Sequence, residues 1–227
     1  MDDEAWFAEE RRQLLREIEA EALATRSWTG RARYADRVMA AIARVPRHEF
    51  VPEAQRRSAY ANRPLAIGYG QTISQPYIVA VMTDLLDLEP TDRVLEIGTG
   101  CGYQAAVLAQ VAGRVYTIEF VPELAEQARA RLRRLGCRNV EVRVGDGHRG
   151  WPEEAPFDAI MVTAAPPAFP TALGTQLKLG GRMVIPVGLR DETQMLYRCV
   201  READGGLSKE AKLPVAFVPM VESHRPA

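Results

Sequence analysis

The feature that most constrains the fold is a regular alternation of short apolar runs with amphipathic segments, which begins at Arg93. The apolar runs are rich in Val, Ile and Leu and have the length of strands, and the segments between them have helical periodicity. Strands that are apolar on both faces are typical of a parallel sheet covered by helices on both sides. The predicted strands cover residues 94–97, 114–119, 140–144, 157–163 and 182–187, the helices cover residues 102–111, 122–136 and 171–178, and residues 180–181 predict a turn.

The chain beyond Gly188 has no strong helical pattern. Residues 194–201 and 213–218 have the composition of strands, and residues 204–206 (Asp-Gly-Gly) predict a turn between them. A turn of this kind favours an antiparallel pair. The predicted fold class is therefore α/β, a doubly wound, mostly parallel, Rossmann-like sheet with N-terminal helices and C-terminal antiparallel strands.

The N-terminal part of the chain alternates between helical and loop-like patterns. Residues 3–24 predict an amphipathic helix with Asp2 or Asp3 as its cap, and residues 36–44 predict a shorter helix. Prolines and glycines make residues 45–75 rich in loops, and loops of this length inside a compact domain are usually functional or disordered.

Residues 76–86 predict the next helix. The segment opens with a proline, which suits the first helical turn. Gln75 or Ser74 is expected near its cap. These patterns divide the chain into an N-terminal helical extension, residues 1–33, and a main domain, residues 34–227.

Charge and composition exclude several classes of protein. The chain has 227 residues with 29 Lys+Arg and 30 Asp+Glu, and this net charge of −1 argues against binding to nucleic acid through many phosphates. No apolar run approaches the ~20 residues of a membrane span. The acidic start has the wrong sign for a secretory signal, and the 3 cysteines form no disulfide framework. We therefore expect a cytoplasmic protein with no nucleic-acid or membrane partner, and we favour a monomer.

No metal site is expected. His48, His148 and His224 share no ligand spacing, and Asp146 beside His148 supplies too few ligands. Cys101 lies in a glycine-rich turn, where a small packing residue is a simpler interpretation than a reactive thiol.

That glycine-rich turn follows the first strand of the alternating region. Residues 96–102 read Glu-Ile-Gly-Thr-Gly-Cys-Gly, and glycines at such a turn let a ligand approach the backbone. The dinucleotide fingerprint G-x-G-x-x-G needs its third glycine where this chain has Tyr103. The turn is therefore a poor site for a dinucleotide.

Two more polar groups end neighbouring strands, at the edge where α/β sheets bind ligands. Glu119 can accept both hydroxyls of a ribose, and Asp146 can reach an adenine edge. With the glycine turn, they favour a nucleoside without a pyrophosphate, such as S-adenosyl-L-methionine, and Glu96 adds negative potential near its positive charge. The alternative is that the glycines only make a tight turn and Glu119 is a solvated strand end.

Several segments resemble the protein-L-isoaspartate O-methyltransferase family. The most specific is residues 68–76, Gly-Tyr-Gly-Gln-Thr-Ile-Ser-Gln-Pro, because other methyltransferases share only the glycine turn. The resemblance covers about residues 34–222. The other matching segments are residues 45–51, 94–104, 145–147, 155–160, 163–165 and 217–220.

The resemblance implies a Rossmann-like methyltransferase fold and methyl transfer from S-adenosyl-L-methionine, which becomes S-adenosyl-L-homocysteine, to the α-carboxylate of L-isoaspartyl residues. It implies that the substrates are damaged proteins and peptides, which methylation begins to repair. The implied catalytic residue is Ser74, and the substrate-binding residues are Thr72, Ser74 and Val218. The implied cofactor-binding residues are Gln71, Thr72, Ile73, Ser74, Glu96, Gly98, Thr99, Gly100, Gly102, Glu119, Phe120, Asp146 and Gly147.

Some alternatives stay open at the level of sequence. Ser74 can instead cap the helix that starts at Pro76, and an extended peptide can pair with residues 215–218 or these can form an ordinary strand. The chain departs from the family in its long N-terminal segment and in Ala216, where the family commonly has Arg. The other functions considered are a methyltransferase for another carboxylate or a small molecule, and a non-catalytic S-adenosyl-L-methionine-binding protein. The intact segment 68–76 argues against the last of these.

Overall fold

The computed structural model describes residues 3–221, which form seven α-helices and nine β-strands. Asp2, one of the two predicted caps, and His224 lie outside the described residues. The helices are α1 (Asp3–Ala24), α2 (Arg26–Thr29), α3 (Asp36–Arg44), α4 (Pro76–Leu85), α5 (Tyr103–Leu108), α6 (Pro122–Arg134) and α7 (Thr171–Thr175). The strands are β1 (Leu65–Gly68), β2 (Gln71–Ile73), β3 (Arg93–Ile97), β4 (Arg114–Glu119), β5 (Val140–Val144), β6 (Phe157–Val162), β7 (Leu177–Val187), β8 (Gln194–Arg201) and β9 (Leu207–Val215).

Seven strands form the central sheet, in the order β5-β4-β3-β6-β7-β8-β9. The first five pair in parallel, and β8 and β9 add to β7 as antiparallel strands. Strand β3 is central and almost wholly buried, as its apolar run predicts. The predicted α/β class, with a mostly parallel sheet and antiparallel C-terminal strands, is confirmed.

The predicted loop region, residues 45–75, contains more regular structure than its composition indicates. Two 3-10 helices, Arg47–Phe50 and Glu53–Ser58, precede a small hairpin of β1 and β2. The hairpin turns through Gly68, Tyr69 and Gly70, which all have positive φ angles (95°, 54° and 70°). Two glycines flanking a left-handed residue permit this tight reversal.

The C-terminal half differs from the prediction in three elements. Strand β7 runs through the predicted turn at residues 180–181, because Phe157 pairs with Leu177 but Ala159 pairs with Arg182, so that residues 178–181 bulge outward. Helix α7 is only 5 residues long. The last predicted strand, residues 213–218, is instead β9, which begins earlier and ends at Val215.

Helix α1 packs on α3 and α4. Its inward side chains Phe7, Leu14, Ile18 and Ala22 are buried in the same hydrophobic cluster as Val94 of the central strand. The division of the chain at residue 33 stays a prediction. No helix among residues 3–221 is long and apolar enough to cross a membrane.

Candidate functional site

The glycine turn after β3 forms the floor of the site. Gly98, Gly100 and Gly102 have positive φ angles of 93°, 53° and 91°, a backbone region in which glycine carries no steric penalty. Gly102 is the N-cap of α5. The turn therefore presents its backbone at the carboxyl edge of the sheet, between β3 and the helix that follows.

Thr163, directly after β6, fixes this turn. Its hydroxyl lies 2.9 Å from the carbonyl oxygen of Ile97 and 2.8 Å from that of Gly98, so its single proton is shared between the two acceptors. A Cβ atom on Gly98 would lie 2.5 Å from the same hydroxyl oxygen. Residue 98 must therefore be glycine for the turn and Thr163 to meet at this distance.

Glu119 ends β4 beside the turn and is almost buried. One carboxylate oxygen accepts the N–H of Gly100 at 2.7 Å, and the other accepts the N–H of Val121 at 3.0 Å. Each oxygen retains a further lone pair. The carboxylate is thus fixed by the backbone and can still accept two neighbouring hydroxyls, as a ribose would present them.

The main cleft, defined by the residues at the end of this paragraph, lies over the turn. Among the described residues no lysine or arginine lines it, and Glu119 is its charged group. This lining fits a nucleoside with a positive charge and does not fit a pyrophosphate. The lining residues are Gln71, Thr72, Ile97, Gly98, Gly100, Ile118, Glu119, Phe120, Val121, Gly147, Thr163, Ala164, Val218, Pro219, Met220 and Val221.

Two recesses extend the main cleft in opposite directions. The serine recess, lined by Ile73, Ser74, Val79, Thr99, Cys101, Tyr103 and Gln104, shares Thr72, Gly98, Gly100 and Thr163 with the main cleft. The aspartate recess, lined by Arg143, Val144, Gly145, Asp146, Arg149, Gly150, Pro152 and Glu153, shares Ile118 and Phe120 with it. The site is therefore one continuous groove along the carboxyl edge of the sheet, in which the turn separates the two ends.

Ser74 is half-buried and faces the serine recess. The N-cap of α4 is Gln75, which makes no side-chain capping bond, and the N–H of Tyr77 is instead bonded by the side-chain oxygen of Asn62 at 3.0 Å. The alternative that Ser74 caps this helix is therefore wrong. Among residues 3–221 no hydrogen bond of the Ser74 hydroxyl is found, so the hydroxyl is available to a ligand in the recess.

Glu96 lies below the glycine turn. It is fully buried, and within the described part of the chain neither carboxylate oxygen has a hydrogen-bond partner. Burial raises the pKa of Glu96 to about 8. The neighbouring Thr117 hydroxyl acts in the opposite direction, and the nearby carboxylate of Glu119 adds to the rise. Glu96 lies beneath the groove and is not among the residues that line it.

The structure brings twelve of the fourteen predicted site residues to the groove and leaves Glu96 and Gly102 outside its lining. Whether these residues bind as predicted stays open to experiment. Sequence reasoning missed Thr163 and Tyr103 as groove residues. Thr163 could have been predicted as a groove residue, because it lies at the carboxyl end of a strand beside β3. The twelve are Gln71, Thr72, Ile73, Ser74, Gly98, Thr99, Gly100, Glu119, Phe120, Asp146, Gly147 and Val218.

Comparison with protein families and sequences gives consistent matches. The family described as "Protein-L-isoaspartate(D-aspartate) O-methyltransferase (PCMT)" matches residues 19–225. The chain is 56% identical over 218 residues to protein-L-isoaspartate O-methyltransferase 1 of Cupriavidus necator, which covers 96% of this chain and 84% of that protein. It is also 56% identical over 207 residues to protein-L-isoaspartate O-methyltransferase 2 of a Polaromonas species, covering 91% of this chain and 98% of that protein.

Solved structures show the same similarity. One protein-L-isoaspartate O-methyltransferase superposes with a TM-score of 0.82 at 30% identity, and the match covers 93% of this chain and 66% of that chain. This chain therefore spans just under two thirds of that protein. A second structure, of a putative protein-L-isoaspartate O-methyltransferase from Plasmodium falciparum in complex with S-adenosyl-L-homocysteine, has a TM-score of 0.74 at 25% identity and covers 93% and 98% of the two chains.

Proposed function

Because the chain belongs to the protein-L-isoaspartate(D-aspartate) O-methyltransferase family, we propose that it transfers a methyl group from S-adenosyl-L-methionine to the α-carboxylate of L-isoaspartyl residues in damaged proteins. One observation carries the proposal. The serine recess opens into the main cleft through residues that both share, so a substrate carboxylate beside Ser74 lies next to the cofactor groove.

The cofactor would lie along the main cleft. Glu119 would hold the ribose hydroxyls, the backbone of Gly98 and Gly100 would face the amino-acid end, and Phe120 and Asp146 would flank the adenine. When bound, S-adenosyl-L-methionine supplies a methyl group on a positively charged sulfur atom. The absence of basic side chains among the described residues of the main cleft supports a cationic ligand there.

The substrate carboxylate needs no general base. Ordinary carboxyl groups titrate near ~4, so an isoaspartyl α-carboxylate is already ionised at neutral pH. The task of this chain is then to hold the carboxylate oxygen in line and to exclude water, and orientation alone can lower a barrier by several kcal/mol or more, up to roughly 7–11 kcal/mol. The hydroxyls of Ser74 and Thr72 can donate to the carboxylate or its peptide neighbour without adding a positive charge that would weaken the nucleophile.

The peptide around the damaged residue would lie against the segment that follows β9. Val218 lines the main cleft, and its carbonyl accepts the N–H of Ala165 at 2.8 Å. Phe217 exchanges two hydrogen bonds with the side chain of Gln194, of 2.6 Å and 3.2 Å. An extended substrate would pair with the remaining main-chain groups of this segment, which tolerates many sequences. Ala216 beside it is exposed and offers no charge.

We also propose that the protein acts in the cytoplasm and as a monomer, and that its methyl esters begin the repair of isoaspartyl sites. The three free cysteines support a reducing compartment, because disulfides are rare there.

Methyl transfer from labelled S-adenosyl-L-methionine to a pair of peptides that differ only in Asp against isoAsp tests the proposed function. We expect labelling of the isoaspartyl peptide alone. Equal labelling of both peptides would indicate a methyltransferase for other carboxylates. Labelling of neither, with S-adenosyl-L-homocysteine still bound in calorimetry, would indicate a binding protein without this activity.

A further inference from the structure

Arg47 is a charged side chain with no exposed surface, immediately behind the serine recess. Its Nε donates to the carbonyl of Ala59 at 2.7 Å, and one terminal nitrogen donates to the carbonyl of Ser74 at 2.8 Å. No carboxylate within residues 3–221 forms an ion pair with it. Burying a charge without a counter-ion is costly, so an arginine that serves only to fill this space would be a poor choice.

The shape of the guanidinium explains why this residue type stands here. Its planar fork can donate in two directions at once, which joins the segment containing Ala59 to the backbone at Ser74. The same group lies 4.8 Å from the ring centroid of Tyr103, which is cation–π distance. Tyr103 lines the serine recess together with Ser74. Arg47 therefore contacts two walls of the recess from behind.

The segment that carries Arg47 is itself held by helix α1. The ring of Phe7 stacks on His48 with centroids 3.9 Å apart. The guanidinium of Arg11 donates to the hydroxyl of Tyr60 at 2.8 Å and to the carbonyl of Ala43 at 3.1 Å. This gives residues 47–60 a fixed position against which Arg47 can hold Ser74.

We infer that Arg47, braced through residues 47–60 by helix α1, is a positioning residue for Ser74: it fixes the backbone of Ser74 so that the hydroxyl faces the substrate carboxylate. The inference rests on the proposed function. It also gives the N-terminal helix a part in the reaction, although no residue of α1 lines the groove among the described residues.

The test is a double-mutant cycle of R47K and S74A, with kcat measured on the isoaspartyl peptide and S-adenosyl-L-homocysteine affinity measured by calorimetry. Lysine keeps the charge but has a single ammonium group, which cannot hold the two carbonyls in the arginine geometry. We expect R47K to lower kcat by about 10- to 100-fold, as small misplacements of reacting groups do, with unchanged affinity for S-adenosyl-L-homocysteine. In the S74A background the same change should have almost no effect, because the hydroxyl that Arg47 positions is absent.

R182K is the matched control. Arg182 also donates to two main-chain carbonyls, those of Leu86 at 2.8 Å and Asp87 at 3.0 Å, beyond the C-terminal end of α4, and it does not line the groove. Unlike Arg47 it also pairs with a carboxylate, that of Asp92 at 2.7 Å, so the control matches the bridging of two carbonyls and not the missing counter-ion. We expect R182K to keep the wild-type kcat. A loss of kcat in R182K as large as that in R47K would show that any bridging arginine matters equally, and would overturn the inference.

The remaining outcomes are distinct. If R47K has wild-type kcat, or lowers kcat by the same factor with and without the Ser74 hydroxyl, Arg47 does not act through Ser74. If R47K does not fold, R11M replaces it, because Arg11 holds the same segment from a partly exposed position. R11M must then lower kcat only when Ser74 is present, and an additive effect rejects the inference. If the wild-type protein itself labels no isoaspartyl peptide, it is the proposed function that fails.

Discussion

Substituting Gly98 by alanine places a methyl group where the structure leaves no room. The new Cβ would lie 2.5 Å from the hydroxyl oxygen of Thr163, well inside van der Waals contact. That hydroxyl cannot simply turn away, because its proton is shared between the carbonyls of Ile97 and Gly98. The φ angle of +93° at Gly98 adds strain for any residue with a side chain.

The two costs can be separated. A side chain in the left-handed backbone region costs roughly 1–2 kcal/mol. Displacing the Thr163 hydroxyl leaves the carbonyl of Gly98 without this donor, which adds about 1–3 kcal/mol. The carbonyl of Ile97 keeps the backbone N–H of Thr163 as its donor. Gly98→Ala should therefore lower the free energy of unfolding by about 2–5 kcal/mol, which a domain of ordinary stability survives.

Gly136→Ala is the matched control, because Gly136 has a φ angle of +76° but no atom within 4 Å of its would-be Cβ. Urea unfolding should show a loss of about 1–2 kcal/mol for Gly136→Ala. In a Thr163→Ala background, Gly98→Ala should cost only this backbone contribution. Equal losses for Gly98→Ala and Gly136→Ala in the wild-type background would refute the argument that Thr163 dictates glycine at residue 98.

Three further substitutions test the groove and the buried carboxylate beneath it. Ser74→Ala should lower kcat on an isoaspartyl peptide far more than it weakens cofactor binding, and an unchanged kcat would remove Ser74 from the reaction. Glu119→Gln should weaken S-adenosyl-L-homocysteine binding by about 10- to 100-fold in calorimetry, because an amide NH₂ cannot accept one of the two backbone N–H groups that the carboxylate now binds. Burial raises the pKa of Glu96 from 4.5 to about 8, so between these pH values the folded protein holds a proton that the unfolded chain releases. The free energy of unfolding should therefore fall as pH rises across this range, by at most about 1.4 kcal/mol per pH unit. Glu96→Gln should flatten this slope in urea unfolding measured across that range, and an unchanged slope would show that Glu96 is ionised when buried.

The parallel sheet was predictable because its strands are apolar on both faces, and few architectures besides a sheet covered on both sides bury strands of that kind. Two features without a clear local pattern, the β1–β2 hairpin and the bulge in β7, were not predictable. The hairpin of β1 and β2 has strands of 4 and 3 residues, too short for a period-2 pattern to stand out. The bulge in β7 depends on pairing with β6, which no local sequence pattern records.

The residues of the site were likewise predictable only in part. Glycines and a carboxylate at the ends of strands could be placed at one edge from topology alone. The burial of Glu96 could not be predicted. When helices cover both faces of a strand, the sequence of the strand does not show which of its side chains face a ligand. Arg47 was missed for a related reason: it lies in a loop-like stretch, and a charged residue there is expected on the surface.

The main cleft takes its walls from segments that lie far apart in the sequence. Gln71 and Thr72 are translated before any strand of the central sheet, whereas Pro219, Met220 and Val221 follow all of its strands. The backbone of Met220 is bonded to that of Ala165 at 2.9 Å. A ligand stabilises only a chain that can bind it. A growing chain on the ribosome therefore gains the full stabilisation by the cofactor only after residues 219–221 have emerged, and the cofactor should protect a chain truncated before Pro219 from degradation less than it protects a chain that contains them. Cofactor binding thus distinguishes a chain that contains residues 219–221 from shorter fragments.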